Sequence, residues 1–348
     1  MDFLEIDGSF GEGGGQTIRI ATSFAVILGR PIRVTRVRAG RRVPGLRPQH
    51  ATTLRILREI CGGTLEGGEI GSTEFTFTPG RPESRSMKVD MGTAASITLA
   101  LQAIVPAISL SGSTLDLELT GGTDVPWSPT CDYFSTVFAE SMRRLGVVFT
   151  LEATRRGYYP NGGGRVSVHI EPCRKVLAVN LDVRREDPPI SIMSRAAMLP
   201  QRVAEQQLSS AVSQLERSGL KPDVTSVRLE QSSSPGSSLV VSAVGDTCLM
   251  GADSIGARGK PAFRVGSEAG LAFARSYRTK TCVDPHLADM ISPVLFLADS
   301  PSTVLTSEIS GHLRSSLYVA KKFVPAEYST EPTDGGWLIS ITPPQQNS

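Results

Sequence analysis

No two of the five cysteines (Cys61, Cys131, Cys173, Cys248 and Cys282) form a C-x-x-C pair. That scatter excludes a zinc ribbon or a small disulfide framework, so free, buried thiols are expected. No apolar run approaches the length of a membrane span, which predicts no membrane partner. The opening Met1-Asp-Phe-Leu-Glu-Ile-Asp7 lacks the basic-then-apolar order of a secretory signal, and a cytoplasmic location follows as the expectation. Acid is missing where base is densest: residues 30–58 hold nine arginines (30, 33, 36, 38, 41, 42, 47, 55, 58) and neither Asp, Glu nor Lys. Arginine forks bind phosphate bidentately, so this stretch suits an anion, either a nucleotide or a nucleic-acid backbone. The overall balance is ordinary: 348 residues, 40% hydrophobic, 20% charged and a net charge of +2 describe a soluble globular chain. That length holds two average domains, or one large domain with an insertion.

Apolar periodicity divides the chain into units. The first reads as a strand at 4–6, a glycine-rich turn at 7–16, a helix over 17–28 and a strand over 32–37. The basic loop Arg38-Ala-Gly-Arg-Arg-Val-Pro-Gly45, a helix over 49–61 and two strands ending at Pro79-Gly80 complete it. The order recurs as a helix over 93–104, a strand over 114–119, the loop 120–129, a helix over 132–145 and strands over 147–153 and 165–170. A third copy has a helix over 287–297, a strand over 303–309, the loop Ser310-Gly-His312, a helix over 313–323 and two strands, the second over 336–342. Three helix–strand–loop–helix–strand–strand units result, each closing on a proline. Residues 177–281 break the pattern: strands at 177–182 and 190–193, a helix over 200–218, strands over 225–230 and 239–244, and a helix over 261–278. The expected fold class is α+β, with a large domain made of 1–176 and 282–348 and a small α+β domain inserted at 177–281.

Three features carry chemistry. Three consecutive glycines before a helix let the backbone approach a phosphate, although the stretch fits neither G-x-G-x-x-G nor a P-loop and also reads as a tight turn. Glu12 among them is a candidate metal ligand, and Arg19, one turn into the helix, reaches toward the same anion. His312 stands where a helix begins, where free N–H groups and the positive helix end keep an imidazole neutral and nucleophilic; the alternative is a helix-start residue with no chemical role. The loop before each unit's second helix carries Arg41-Arg42, then Thr123-Asp124, then His312: three unrelated polar types at one repeat position.

Asp7-Gly-Ser-Phe-Gly-Glu-Gly-Gly-Gly-Gln16, Arg38-Ala-Gly-Arg41 with Pro44-Gly45 and Gln49-His50, Gly121-Gly-Thr-Asp124, Arg156-Gly-Tyr-Tyr-Pro-Asn-Gly-Gly-Gly164 and Gly311-His-Leu313 together resemble the RNA 3'-terminal phosphate cyclases. The resemblance covers essentially the whole chain. It implies a large domain of three repeats similar to the C-terminal domain of translation initiation factor three, with a thioredoxin-like insert. It further implies conversion of an RNA 3'-phosphate end to a 2',3'-cyclic phosphate with ATP and a divalent metal (Mg or Mn), through a histidyl-adenylate and an RNA-(3')pp(5')A end. By the same resemblance His312 is the nucleophile and Glu12 the metal-associated carboxylate. Arg19, Arg38, Arg41, Gln49 and His50 belong to the phosphate site; Gln102, Pro129 and Asp289 belong to the nucleotide pocket. Where the family often has Tyr-Leu-Ala-Asp-Gln, this chain has His286-Leu-Ala-Asp-Met290, which removes an aromatic stacker and an amide from that pocket. The rival reading is a non-catalytic, ribosome-assembly relative, which lacks the histidine; an enolpyruvyl-type transferase and a plain RNA-binding protein are weaker.

Overall fold

The computed structural model describes residues 2–92 and 94–344. In the first unit β1 (Leu4–Asp7) leads into α1 (Gly15–Leu28), β2 (Ile32–Thr35), α2 (Pro48–Cys61), β3 (Thr64–Glu66) and β4 (Phe75–Thr78). The sheet order is β1-β2-β4-β3; β1 and β2 are parallel, joined by the α1 crossover, and the other neighbours are antiparallel. The second unit comprises β5 (Arg85–Asp90), α3 (Ile97–Leu110), β6 (Leu115–Gly121), α4 (Cys131–Tyr133), a π-helical turn at Phe134–Phe138, α5 (Ala139–Arg144), β7 (Phe149–Arg155) and β8 (Gly164–Ile170). Its order, β5-β6-β8-β7, repeats the first. Then come β9 (Asn180–Leu181), β10 (Ile190–Ala197), α6 (Gln201–Arg217), β11 (Val224–Glu230), β12 (Gly236–Val244), β13 (Leu249–Ile255) and α7 (Ala262–Arg278). The chain ends with α8 (Pro285–Ile291), 3-10 turns at Val294–Leu297, β14 (Ser302–Thr306), α9 (Gly311–Phe323), β15 (Glu327–Thr333) and β16 (Gly336–Thr342).

Every unit opens with a strand; periodicity gives it to its own unit in the first, misses it in the second and reads it as part of the insert in the third. β5 escapes it because burial alternates only weakly along Arg85–Asp90. β9 pairs parallel to β14 through Asn180 and Leu181, in a sheet ordered β15-β16-β14-β9. The strand expected as the first of the insert thus belongs to the third unit. The insert interrupts that unit after its first strand instead of lying between units, and its own sheet is β11-β10-β12-β13, including the unforeseen β13. The helix expected from 93 begins at Ile97, where the Ser96 Oγ accepts from the Leu99 N–H (3.1 Å); Thr93 itself lies outside the described residues.

One core unites the three units. Residues 16–26 of α1 are all buried, as are most of α3, and a helix covered on every side sits centrally. Around α1 pack α3 and α9, with Phe24 against Phe323. The insert keeps a separate core in which Val241, Met250, Val265 and Phe273 join its sheet to α6 and α7. Val283 bridges Leu249 on one side and Thr306 on the other, so the insert sheet runs on into the third sheet. A largely buried ion network joins the second unit to the insert. Arg156 meets Asp124 (3.2 Å) and Asp132 (2.8 Å), and Arg195 from β10 meets Asp132 (2.7 Å) and Glu230. Asp284, the N-cap of α8, accepts from Tyr133 Oη (2.9 Å), the Gly251 N–H (2.9 Å) and the Leu287 N–H (3.0 Å), joining the second unit, the insert and the third unit at one carboxylate.

Candidate active site

Two glycines set the site's first contact. Gly13 has φ +56, a region that L side chains rarely adopt, and a Cβ there would lie 2.8 Å from the Gly40 N. A Cβ on Gly40 would lie 2.6 Å from the Glu12 carbonyl. The glycine loop and the basic loop touch backbone to backbone, which brings Arg41 onto Glu12 as an ion pair. Helix α9 grips the same loop from the other side. Ser315 Oγ lies 3.3 Å from both the Glu12 N–H and the Phe10 carbonyl, and Phe10 stacks on Tyr318 at 4.0 Å.

His312 is the second residue of α9, behind the N-cap Ser310, whose Oγ accepts from the Leu313 N–H (2.9 Å). Its Nδ1 lies 2.8 Å from Glu12 Oε2, although the angle falls short of an aligned hydrogen bond. The carboxylate favours the proton on Nδ1, leaving the Nε2 lone pair free. Burial, then Arg19, Arg41 and His286, push the ring's pKa down to about 4, so it is neutral at pH 7. Arg41 and His312 thus converge on Glu12 from two units. The third loop does not join them, because Asp124 turns inward to Arg156.

Arg19 rides on the buried α1 with 8% of its surface exposed. Its Nη2 donates to Gln16 Oε1, its Nε has no partner, and no acid lies within ion-pair distance among the described residues. Burial lowers its pKa to about 10, still well above neutrality. A buried cation without a counter-ion is costly, so the arrangement implies a bound anion. His50 lies beside Gly15 at the start of α1 and is 5% exposed. Its Nδ1 accepts from the Arg47 N–H (3.2 Å), which places the ring proton on Nε2, a donor for the same anion. Burial foremost, with Arg19, Arg38 and Arg47, depresses its pKa to about 3.

The other expected residues fall into two groups. Gln49 opens α2 beside His50, whereas Arg38 Nη1 donates to the carbonyls of Val43 (3.0 Å) and Gly45 (2.9 Å), bracing its own loop. The arginine stretch is also less bare than its sequence: Arg33 pairs with Glu74, Arg36 with Asp7 and Arg41 with Glu12, all acids from outside it. Of the residues expected at the nucleotide pocket, Gln102 Nε2 donates to Met290 Sδ (3.0 Å), and both line a cleft with Gln16, Ile20, Pro106 and Val294. The Pro129 carbonyl accepts from Thr98 Oγ1 (2.8 Å), and His286 lies one turn before Asp289 on α8. Buried Asp289 accepts from Ser310 Oγ (2.6 Å), and burial raises its pKa to about 7. Ser310 therefore links this group to the helix of His312. Sequence reasoning overlooked Gln16, Ser310 and Ser315. Ser310 was signalled as an N-cap, while Gln16 donates to the Asp289 carbonyl (3.4 Å) and Ser316 Oγ (3.0 Å), which only tertiary packing brings near.

Among the described residues no three His, Cys, Asp or Glu side chains cluster as a metal cage. A single carboxylate suffices for Mg²⁺, which keeps several waters and takes its other ligands from substrate phosphates; Glu12 fits that role, with Arg41 releasing one of its oxygens.

A model of the family described as RNA 3'-terminal phosphate cyclase matches residues 10–330. Proteins named RNA 3'-terminal phosphate cyclase resemble the chain throughout. That of Pyrobaculum aerophilum is 38% identical over 97% of each chain, and that of Thermococcus gammatolerans is 40% identical over 95% of each. That of Pyrococcus furiosus is 39% identical over 91% of this chain and 92% of its own. The chain belongs to the RNA 3'-terminal phosphate cyclase family.

Proposed function

We propose that this protein is an ATP-dependent RNA 3'-terminal phosphate cyclase that works through covalent adenylylation of His312. The observation that carries the reading is the His312 imidazole at the start of α9, its Nδ1 2.8 Å from Glu12 Oε2, in a site with a buried arginine, Arg19, that has no acidic partner among the described residues. His312 Nε2 attacks the α-phosphorus of ATP; an N–P bond forms, the bond to the bridging oxygen breaks, and pyrophosphate leaves. Arg19, Arg41 and the His50 Nε2–H hold the charge that gathers on the phosphate oxygens. A divalent cation at Glu12, when bound, supplies further charge neutralisation on the triphosphate. An oxygen of the RNA 3'-phosphate then attacks the same phosphorus, breaking the N–P bond and restoring the imidazole. Last, the neighbouring 2'-hydroxyl loses its proton and attacks the activated 3'-phosphorus, AMP departs, and the cyclic phosphate remains. Gln102, Pro129, Asp289, His286 and Met290 form the adenosine side of this site in our reading. Five buried, unpaired thiols suit the reducing cytoplasm.

The test is incubation with α-labelled ATP and magnesium, beside His312→Ala. Acid-labile label on the parent alone, discharged by RNA ending in a 3'-phosphate and absent after chelation, is the expected result. No label on either protein would turn the assignment toward a non-catalytic relative.

A further inference from the structure

The adenylylation chemistry makes no use of residues 120–128, the body of the loop that ends at Pro129, or of the turn at 156–164. Hydrogen bonds fasten them together. The N–H groups of Thr123 and Asp124 both donate to the Gly157 carbonyl (2.9 and 3.3 Å), and the Gly157 N–H donates to Thr123 Oγ1 (3.0 Å). Asp124 and Tyr158 form a parallel bridge, with the Arg156–Asp124 ion pair buried below. From this braced base two aromatic rings face water: Trp127 is 97% exposed and Tyr159 is 67% exposed.

Trp127 is the anomaly. It adopts φ +62, an unfavourable backbone for a bulky residue, in a turn closed by Ser128 Oγ donating to the Val125 carbonyl (2.8 Å). Packing explains neither the conformation nor the exposure, since the ring covers nothing. The loop also borders the active site. Three residues on, the Thr130 N–H donates to Asp253 Oδ2 (2.6 Å). The Pro129 carbonyl accepts from Thr98 Oγ1 (2.8 Å) on α3, whose Gln102 reaches Met290, the neighbour of the Asp289 that accepts from the N-cap Ser310 of the His312 helix. An exposed indole on a braced loop that leads into the candidate site matches single-strand recognition, in which bases stack on aromatic faces.

We infer that Trp127, on the loop fastened to the turn that carries Tyr159, is a stacking platform for a nucleobase near the 3' end of the RNA substrate. The inference rests on the cyclase reading for its ligand, and the adenine of ATP offers the same face chemistry, so the experiment separates the sources. In the full chain, Trp127→Ala should raise KM for a short RNA ending in 3'-phosphate about tenfold, equivalent to about 1.4 kcal/mol. The loss should be confined to the RNA-dependent step, and Trp127→Phe should recover most of it. Trp337→Phe leaves Trp127 as the sole indole of the two in the chain, and its fluorescence should be quenched by the RNA in the absence of ATP. An unchanged KM for RNA, quenching by ATP instead of RNA, or a rise confined to KM for ATP would each overturn the assignment. If the parent takes no label from ATP, the catalytic reading has failed, and RNA quenching still decides the stacking one.

Discussion

His312 should remain a nucleophile well into acid. An imidazole at its ordinary pKa of about 6.5 is roughly one-tenth neutral at pH 5.5. His312, held at about 4, is about 97% neutral there. Single-turnover labelling by ATP should therefore show no histidine inflection near pH 6.5. Burial is the main cause of the depression and Arg19 the next, and Arg41→Gln perturbs a smaller, electrostatic cause. It removes a repelling cation and frees Glu12 to attract the ring, and both effects raise the His312 pKa. Nitrogen-15 NMR of histidine-labelled protein resolves this, because the chain has four histidines and His312→Ala assigns one. Stability responds with the same sign. The unfolded chain protonates His312 and His50 below about pH 6.5, whereas the folded protein holds them neutral until about 4 and about 3. Stability from these two is thus complete above pH 6.5 and declines as pH falls. Asp289, raised to about 7, acts oppositely: its contribution is lost as pH climbs toward 7. A His312 midpoint at or above 6.5, unmoved by Arg41→Gln, would refute the electrostatic reasoning.

Arg19→Met should hold or raise the thermal midpoint, since it removes an unpaired buried charge, while cutting labelling by ATP at least a hundredfold; a lower midpoint with intact labelling would contradict the anion-site assignment. Gly40→Ala drives a Cβ to 2.6 Å from the Glu12 carbonyl, so labelling should fall at least tenfold through displacement of Glu12. Gly62→Ala, with φ +62 but open space around it, should cost about 1 kcal/mol and leave labelling unchanged in the same assay. Asp132→Asn leaves Arg156 and Arg195 facing each other without their shared carboxylate, and calorimetry should register a loss of about 3–5 kcal/mol.

Local sequence determined the three units, because helix periodicity and glycine–proline punctuation are properties of short windows. It also placed His312 at a helix start and Glu12 in a glycine loop, since both depend on neighbours a few residues away. Tertiary structure decided what local pattern could not hold. β9 joined the third sheet because strand pairing is non-local, and two residues carry no periodicity of their own. Arg33, Arg36 and Arg41 found acids outside their stretch, while Arg19 found none among the described residues, although nothing in their sequence neighbourhoods distinguishes them. The proton states of His312, His50 and Asp289 follow from burial and from charges brought in by other units. Convergence of Arg41 and His312 on one carboxylate, with Asp124 turned away into the insert junction, was a decision of packing alone.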